Sequence, residues 1–121
     1  MKKLTLFLVL ISTGISAHSE VDYNSINKDC KMLESVASLA QGYRQMGYKP
    51  SKAVDNLMET TNKLKDPIYR DAMQGIVFDL VDSAYKVQRY STKTLQYQAI
   101  SNFADTTYLI CLDTFKNDID K

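Results

Sequence analysis

Apolar positions recur along this chain at helical spacing, in four successive runs. From Ser25 to Met46 the set Ile26, Cys30, Leu33, Ala37 and Ala40 steps by three and four, and Met32, Val36, Leu39 and Tyr43 widen the stripe. That is the period of an amphipathic helix, and Gly47 is placed to end it. Pro50-Ser51 restarts the chain, with Ser51 the expected N-cap because its hydroxyl can accept from a free first-turn amide. Ala53, Val54, Leu57, Met58, Thr61 and Leu64 give a second, shorter helix its inward face. Asp66-Pro67 opens a third, since Asp caps and Pro at the first helical position gives up an amide proton that has no partner there. Its apolar positions are Ile68, Ala72, Met73, Ile76, Val77, Leu80, Ala84 and Val87. Gly75 sits inside this run at a cost of about 1 kcal/mol against Ala, which predicts close packing against a neighbour. A break at Tyr90-Ser91-Thr92, with Ser91 or Thr92 capping, leads into a fourth helix ending near Phe115. It carries Leu95, Ala99, Ile100, Phe103, Thr107, Ile110 and Cys111.

Strand signals are weak, because β-branched alternation and Asn-Gly turns are missing. Four helices with short connections predict an all-α, antiparallel four-helix bundle running up-down-up-down. In that topology the start of the first helix and the end of the fourth share one end, where Cys30 and Cys111 fall. A single disulfide between them is therefore expected. Closing a loop of about 80 residues is worth roughly 4 to 5 kcal/mol in the chain-entropy account, a large share of a small domain's stability.

The first seventeen residues bear on location. Lys2 and Lys3 precede an apolar stretch from Leu4 to Ile11, and Ser12 to Ala17 is small and polar. This is the pattern of a cleavable secretory signal peptide, with an apolar core about half the ~20 residues of a membrane span. The expected organisation is a signal peptide at 1–17, a flexible segment at 18–24, the helical domain at 25–116 and a tail at 117–121. Export to an oxidising periplasm agrees with pairing the two cysteines, and with Cys30 too far downstream to take a lipid. Without Lys2 and Lys3 the 15 basic residues become 13, against 14 acidic, a net charge of −1. Charges of opposite sign intermix along the chain. Neither a nucleic-acid track nor an anionic-membrane patch is expected, nor any membrane span after cleavage.

Catalytic chemistry has little to work with. The one histidine, His18, adjoins the predicted cleavage site, and a nucleophile needs a base held rigidly within hydrogen-bond reach. Metal-ligand spacings such as C-x-x-C or H-x-x-x-H are missing, so no metal and no cofactor are expected. Asp79 and Asp82 share a face of the third helix, with Asp71 two turns before Asp79. Paired carboxylates can hydrolyse glycosides, but only across a cleft and with one pKa raised. Two aspartates on one helix flank read as solvated charges. The expectation is that the chain is not an enzyme, with a paired-carboxylate hydrolase as the lesser alternative.

Eight tyrosines are the unusual part of the composition. Tyr43 and Tyr48 bracket the end of the first helix, and Tyr85, Tyr90 and Tyr97 cluster around the third connection. If the first and third helices both run up, these groups meet at one end of the bundle. The plainer reading is that the rings close the ends of a small, tryptophan-free core. The functional reading is a contact patch of Tyr43, Arg44, Tyr48, Tyr85, Arg89 and Tyr90, since Tyr and Arg dominate interface hot spots.

Cys30-x-x-Leu33, Arg44-x-x-Gly47 with Ala53 beyond, Ala84-Tyr85, Tyr90-Ser91 and Phe103 to Tyr108-x-x-Cys111 together resemble small exported helical proteins of proteobacteria with no established function. The resemblance spans nearly all of the chain after Ala17. It implies a Gram-negative periplasmic setting and a disulfide-bonded helical domain, and it carries no activity. The expected function is a non-catalytic binding or inhibitor module acting by protein–protein contact, its partner unidentified. A stress or chaperone-like role and a structural, self-associating role are the alternatives. The sequence leaves the oligomeric state open.

Overall fold

The computed structural model describes residues 22–119, and the predicted signal peptide lies outside them. The helices are α1 (Tyr23–Gln45), α2 (Pro50–Thr61), α3 (Pro67–Tyr85) and α4 (Lys93–Ile119). Asp22 caps α1, its carboxylate accepting from Ser25 N at 3.1 Å. Asp66 caps α3 through Ile68 N and Tyr69 N, with Pro67 in the first turn as expected. Thr92 Oγ1 accepts from Leu95 N at 3.3 Å and opens α4. Ser51 does not cap α2. Pro50 takes the first helical position and holds Lys49 extended (φ −65°, ψ 146°), so the cap position falls on Lys49, which offers no side-chain bond. Helix α1 starts two residues before the expected Ser25, and α4 runs past Phe115 to Ile119.

The four helices form an antiparallel bundle with Cys30 bonded to Cys111, their Cα atoms 5.6 Å apart. Helix α1 is the hub: α2 and α3 pack on it and on each other, while α4 runs along it and hardly approaches α2 or α3. The main core belongs to the first three helices, through Val36, Ala37, Ala40, Leu57, Met73 and Val77 among others. Among the described side chains of α4 only Phe103 reaches that cluster; the buried ones, Ala99, Ala104 and Cys111, are small.

Several expected core positions face solvent instead. Ile68 is 82% exposed because it stands five residues before Met73, about 140° round the helix from the buried stripe. Ala72 also misses the stripe, and Leu39, Leu95 and Ile110 lie on faces that no neighbouring helix covers. Gly75 is exposed too, and a Cβ there would meet nothing within 4 Å. Close packing is therefore not the reason for this glycine.

Candidate functional site

All six predicted patch residues meet at the end where α1 and α3 stop and α2 and α4 start. Gly47 adopts φ 84°, which an L side chain resists, and a Cβ on it would come within 2.8 Å of an Arg89 Nη. Gly47 N donates to Arg44 O and Tyr48 N to Tyr43 O, each at 3.0 Å. Those two bonds are a Schellman cap, and its customary apolar contact is the stack of Tyr43 on Tyr48, with centroids 5.2 Å apart. The first tyrosine pair is thus part of a helix stop.

A buried polar clamp fixes the connection that follows α3. Gln41 and Gln45 lie one turn apart on α1, fully buried or nearly so. Gln41 Nε2 donates to Ala84 O at 3.2 Å. Gln45 Nε2 donates to Gln41 Oε1 at 2.8 Å and to Gln88 O at 2.9 Å, while Gln45 Oε1 accepts from Tyr90 N at 2.9 Å. Arg44 Nε donates to Val87 O at 2.9 Å. Helix α1 so supplies donors to the carbonyls of Val87 and Gln88 in the 86–92 connection, and a second donor to Ala84 O, which also accepts from Val87 N at 3.1 Å. Across the connection, Arg89 Nε donates to Gln45 O at 3.1 Å and Gln96 Nε2 to Tyr90 O at 2.8 Å.

Tyr85 closes the same network, donating its hydroxyl to Tyr48 O at 2.7 Å beneath the Arg44 guanidinium, 5.4 Å from its ring. Burial raises its phenol above the ordinary 10.0, partly opposed by the Arg44 charge. The polar ends of Arg44 and Tyr85, one guanidinium nitrogen of Arg89 and the Tyr90 amide are therefore engaged inside the chain. Among the six, only Arg89 is classed as exposed; the other five are half-buried. The cluster is a brace as much as a surface.

What this end offers to solvent lies beside the brace. A groove of about 410 Å³ runs between the end of α1 and the start of α4, lined by Gly42, Gln45, Met46, Lys93, Tyr97 and Ile100 among others. Met46 and Tyr97 are 57% and 64% exposed on its walls. Neither belonged to the predicted patch, although Tyr97 stood in the same tyrosine cluster. A smaller groove of about 250 Å³ opens on the other side of α4, between Val87, Tyr90 and Phe103. Asp79 and Asp82 are exposed on α3 and line neither groove; Asp82 pairs with Lys86 at 3.1 Å on the open helix surface. Among the described residues no group of three His, Cys, Asp or Glu side chains could hold a metal ion, and His18 lies outside them. No helix among them is long and apolar enough to cross a membrane. No protein-family model matches the chain, and no curated protein or solved structure is significantly similar to it.

Proposed function

We propose that this chain is an exported, non-catalytic binding module that works by protein–protein contact at the braced end of the bundle. The observation that carries the reading is the groove between α1 and α4, where Met46 and Tyr97 stand exposed beside a fixed polar network. Aromatic and methionine side chains bind well when a rigid support has already removed their ordering cost. Lys93 and Gln96 line the same groove, giving an apolar centre polar neighbours of the kind interfaces use. The Arg89 guanidinium and the outer faces of Tyr48 and Tyr90 extend the surface around it. Export rests on the Lys2 to Ala17 pattern and on the Cys30–Cys111 bond, which an oxidising compartment preserves.

The experiment is affinity capture from periplasmic extract, with oxidised protein lacking residues 1–17 as bait and a Met46→Asp, Tyr97→Asp variant as the matched control. A species held saturably by the natural chain and lost by an equally helical, equally stable variant is the expected result. A blank, or the same species on both baits, would remove the groove as a contact site.

A further inference from the structure

Helix α4 turns an almost uncharged surface to solvent. Between Thr94 and Leu112 the one charged residue is Asp105. Directly away from α1, Leu95, Asn102 and Leu109 stand seven residues apart in one line, all exposed. Leu95 is 42%, Leu109 58% and the neighbouring Ile110 60% exposed. An ordinary solvated helix face carries charges; depletion of charge with retained apolar residues is the composition of a buried interface centre.

We infer that this face binds a second copy of the chain, α4 against α4 in antiparallel, two-fold register centred on Asn102. The pattern Leu95, Asn102, Leu109 reads the same in both directions, which is what an isologous contact demands. In that register Leu95 of one copy meets Leu109 and Ile110 of the other at both ends. Asn102 meets its own symmetry mate, and a side-chain amide carries both a donor and an acceptor for such a pairing. At 1.5 Å per residue, Asp105 stands about 4.5 Å beyond the axis and Gln98 about 6 Å before it, on the same flank. Symmetry then brings the Gln98 amide of each copy to the Asp105 carboxylate of the other. Parallel register would bring like residue to like along the line and lose the match of Gln98 with Asp105. Antiparallel register also sets the two helix dipoles in opposition. Because α4 packs chiefly on α1, no other described element covers this face, and the α1–α4 groove stays open on the far side. The inference is thus independent of the binding reading above.

One helix face of this length makes a small interface, so the dissociation constant is expected on the order of 100 μM. The test is sedimentation equilibrium of the oxidised chain lacking residues 1–17, from about 10 μM to about 1 mM, with circular dichroism to confirm that each variant is folded. The natural chain should pass from monomer to dimer. Leu95→Glu and Leu109→Lys should each weaken the dimer at least tenfold. The double variant should bind more tightly than either single one, because the introduced carboxylate of each copy then meets the introduced ammonium of the other. A natural chain that stays monomeric throughout, or a dimer indifferent to both single changes, would overturn the inference. A double variant weaker than both single ones would refute the antiparallel register.

Discussion

Replacing Gln45 tests the clamp that holds the 86–92 connection. Its side chain makes three bonds, to Gln41 Oε1, Gln88 O and Tyr90 N, from a position 2% exposed. Truncation to Ala strands all three partners. An unmet buried group costs about 1 to 3 kcal/mol, and a hydrogen bond contributes a net 1 kcal/mol or so. Gln88 is exposed and Tyr90 half-buried, so water can serve them, whereas fully buried Gln41 cannot be served without rearrangement. Adding the cavity left by the lost side chain, Gln45→Ala should cost about 3 kcal/mol. Gln45→Glu is the sharper probe because it keeps the volume and can still accept from Tyr90 N. At neutral pH its carboxylate would face two acceptors, Gln41 Oε1 and Gln88 O, with no proton to give. Protonated, it can donate to one of them. The introduced acid should therefore have a folded pKa above its unfolded value, so its stabilising proton is bound below the unfolded pKa and lost as pH rises through the folded one. Urea unfolding followed by circular dichroism at about pH 7 and about pH 4.5 should show the gap between Gln45→Glu and the natural chain narrowing in acid. A Gln45→Ala loss under about 0.5 kcal/mol, or a pH-independent gap for Gln45→Glu, would refute the clamp as a source of stability.

The glycines should respond with opposite signs in the same assay. Gly75→Ala should stabilise by about 0.5 to 1 kcal/mol, whereas Gly47→Ala should cost about 1 to 2 kcal/mol for its left-handed backbone, and more for displacing Arg89. Burial raises the Tyr69 phenol above 10.0, and the charge of Asp29 and a hydrogen bond to it push the same way. Stability from its bound proton is therefore complete below the unfolded value and lost as pH rises through the folded one; Tyr69→Phe should lose less stability than the natural chain between about pH 9 and about pH 11. Reducing Cys30–Cys111, which are 81 residues apart, should lower stability by as much as roughly 4 kcal/mol, and thiol titration without reductant should find no free cysteine.

The elements were legible wherever the determining chemistry is local. Asp66-Pro67 and Gly47 signal a start and a stop because a cap and a left-handed turn are properties of a few consecutive residues. The Cys30–Cys111 pairing followed from helix directions together with the export pattern of the first seventeen residues. Three things were not legible, each for a physical reason. Ser51 was outranked by its neighbour, since Pro50 fixes its own φ and extends Lys49 whatever follows. Nothing in the sequence marks Gln41 and Gln45 as buried, because their partners, the carbonyls of Ala84 and Gln88, lie some forty residues away and have no sequence signature. The tyrosines were grouped correctly, yet spacing could not separate rings used in a cap from rings left free. Tyr43 and Tyr48 stack on each other, whereas Tyr97 projects into a groove.

The position of α4 accounts for much of the rest. A seven-residue link after α3 predicts that α4 lies beside α3, but residues 86–92 are drawn across the end of α1 by Gln41, Arg44 and Gln45, so α4 descends along α1. Its buried residues are small and add little to the core that the first three helices complete. Attachment therefore runs along the whole α1–α4 seam through small residues, and specific bonds reinforce it at the two ends. At one, Tyr90 and Gln96 tie the start of α4 to the glutamine clamp. At the other, the disulfide and the bond from Tyr108 Oη to Asn27 Oδ1, 2.6 Å long, hold its far end to the start of α1. A helix seated along one seam and bare along its outer face can keep an uncharged surface without folding it inward. The same features that make α4 a poor contributor to the core leave it free to make contacts outside it.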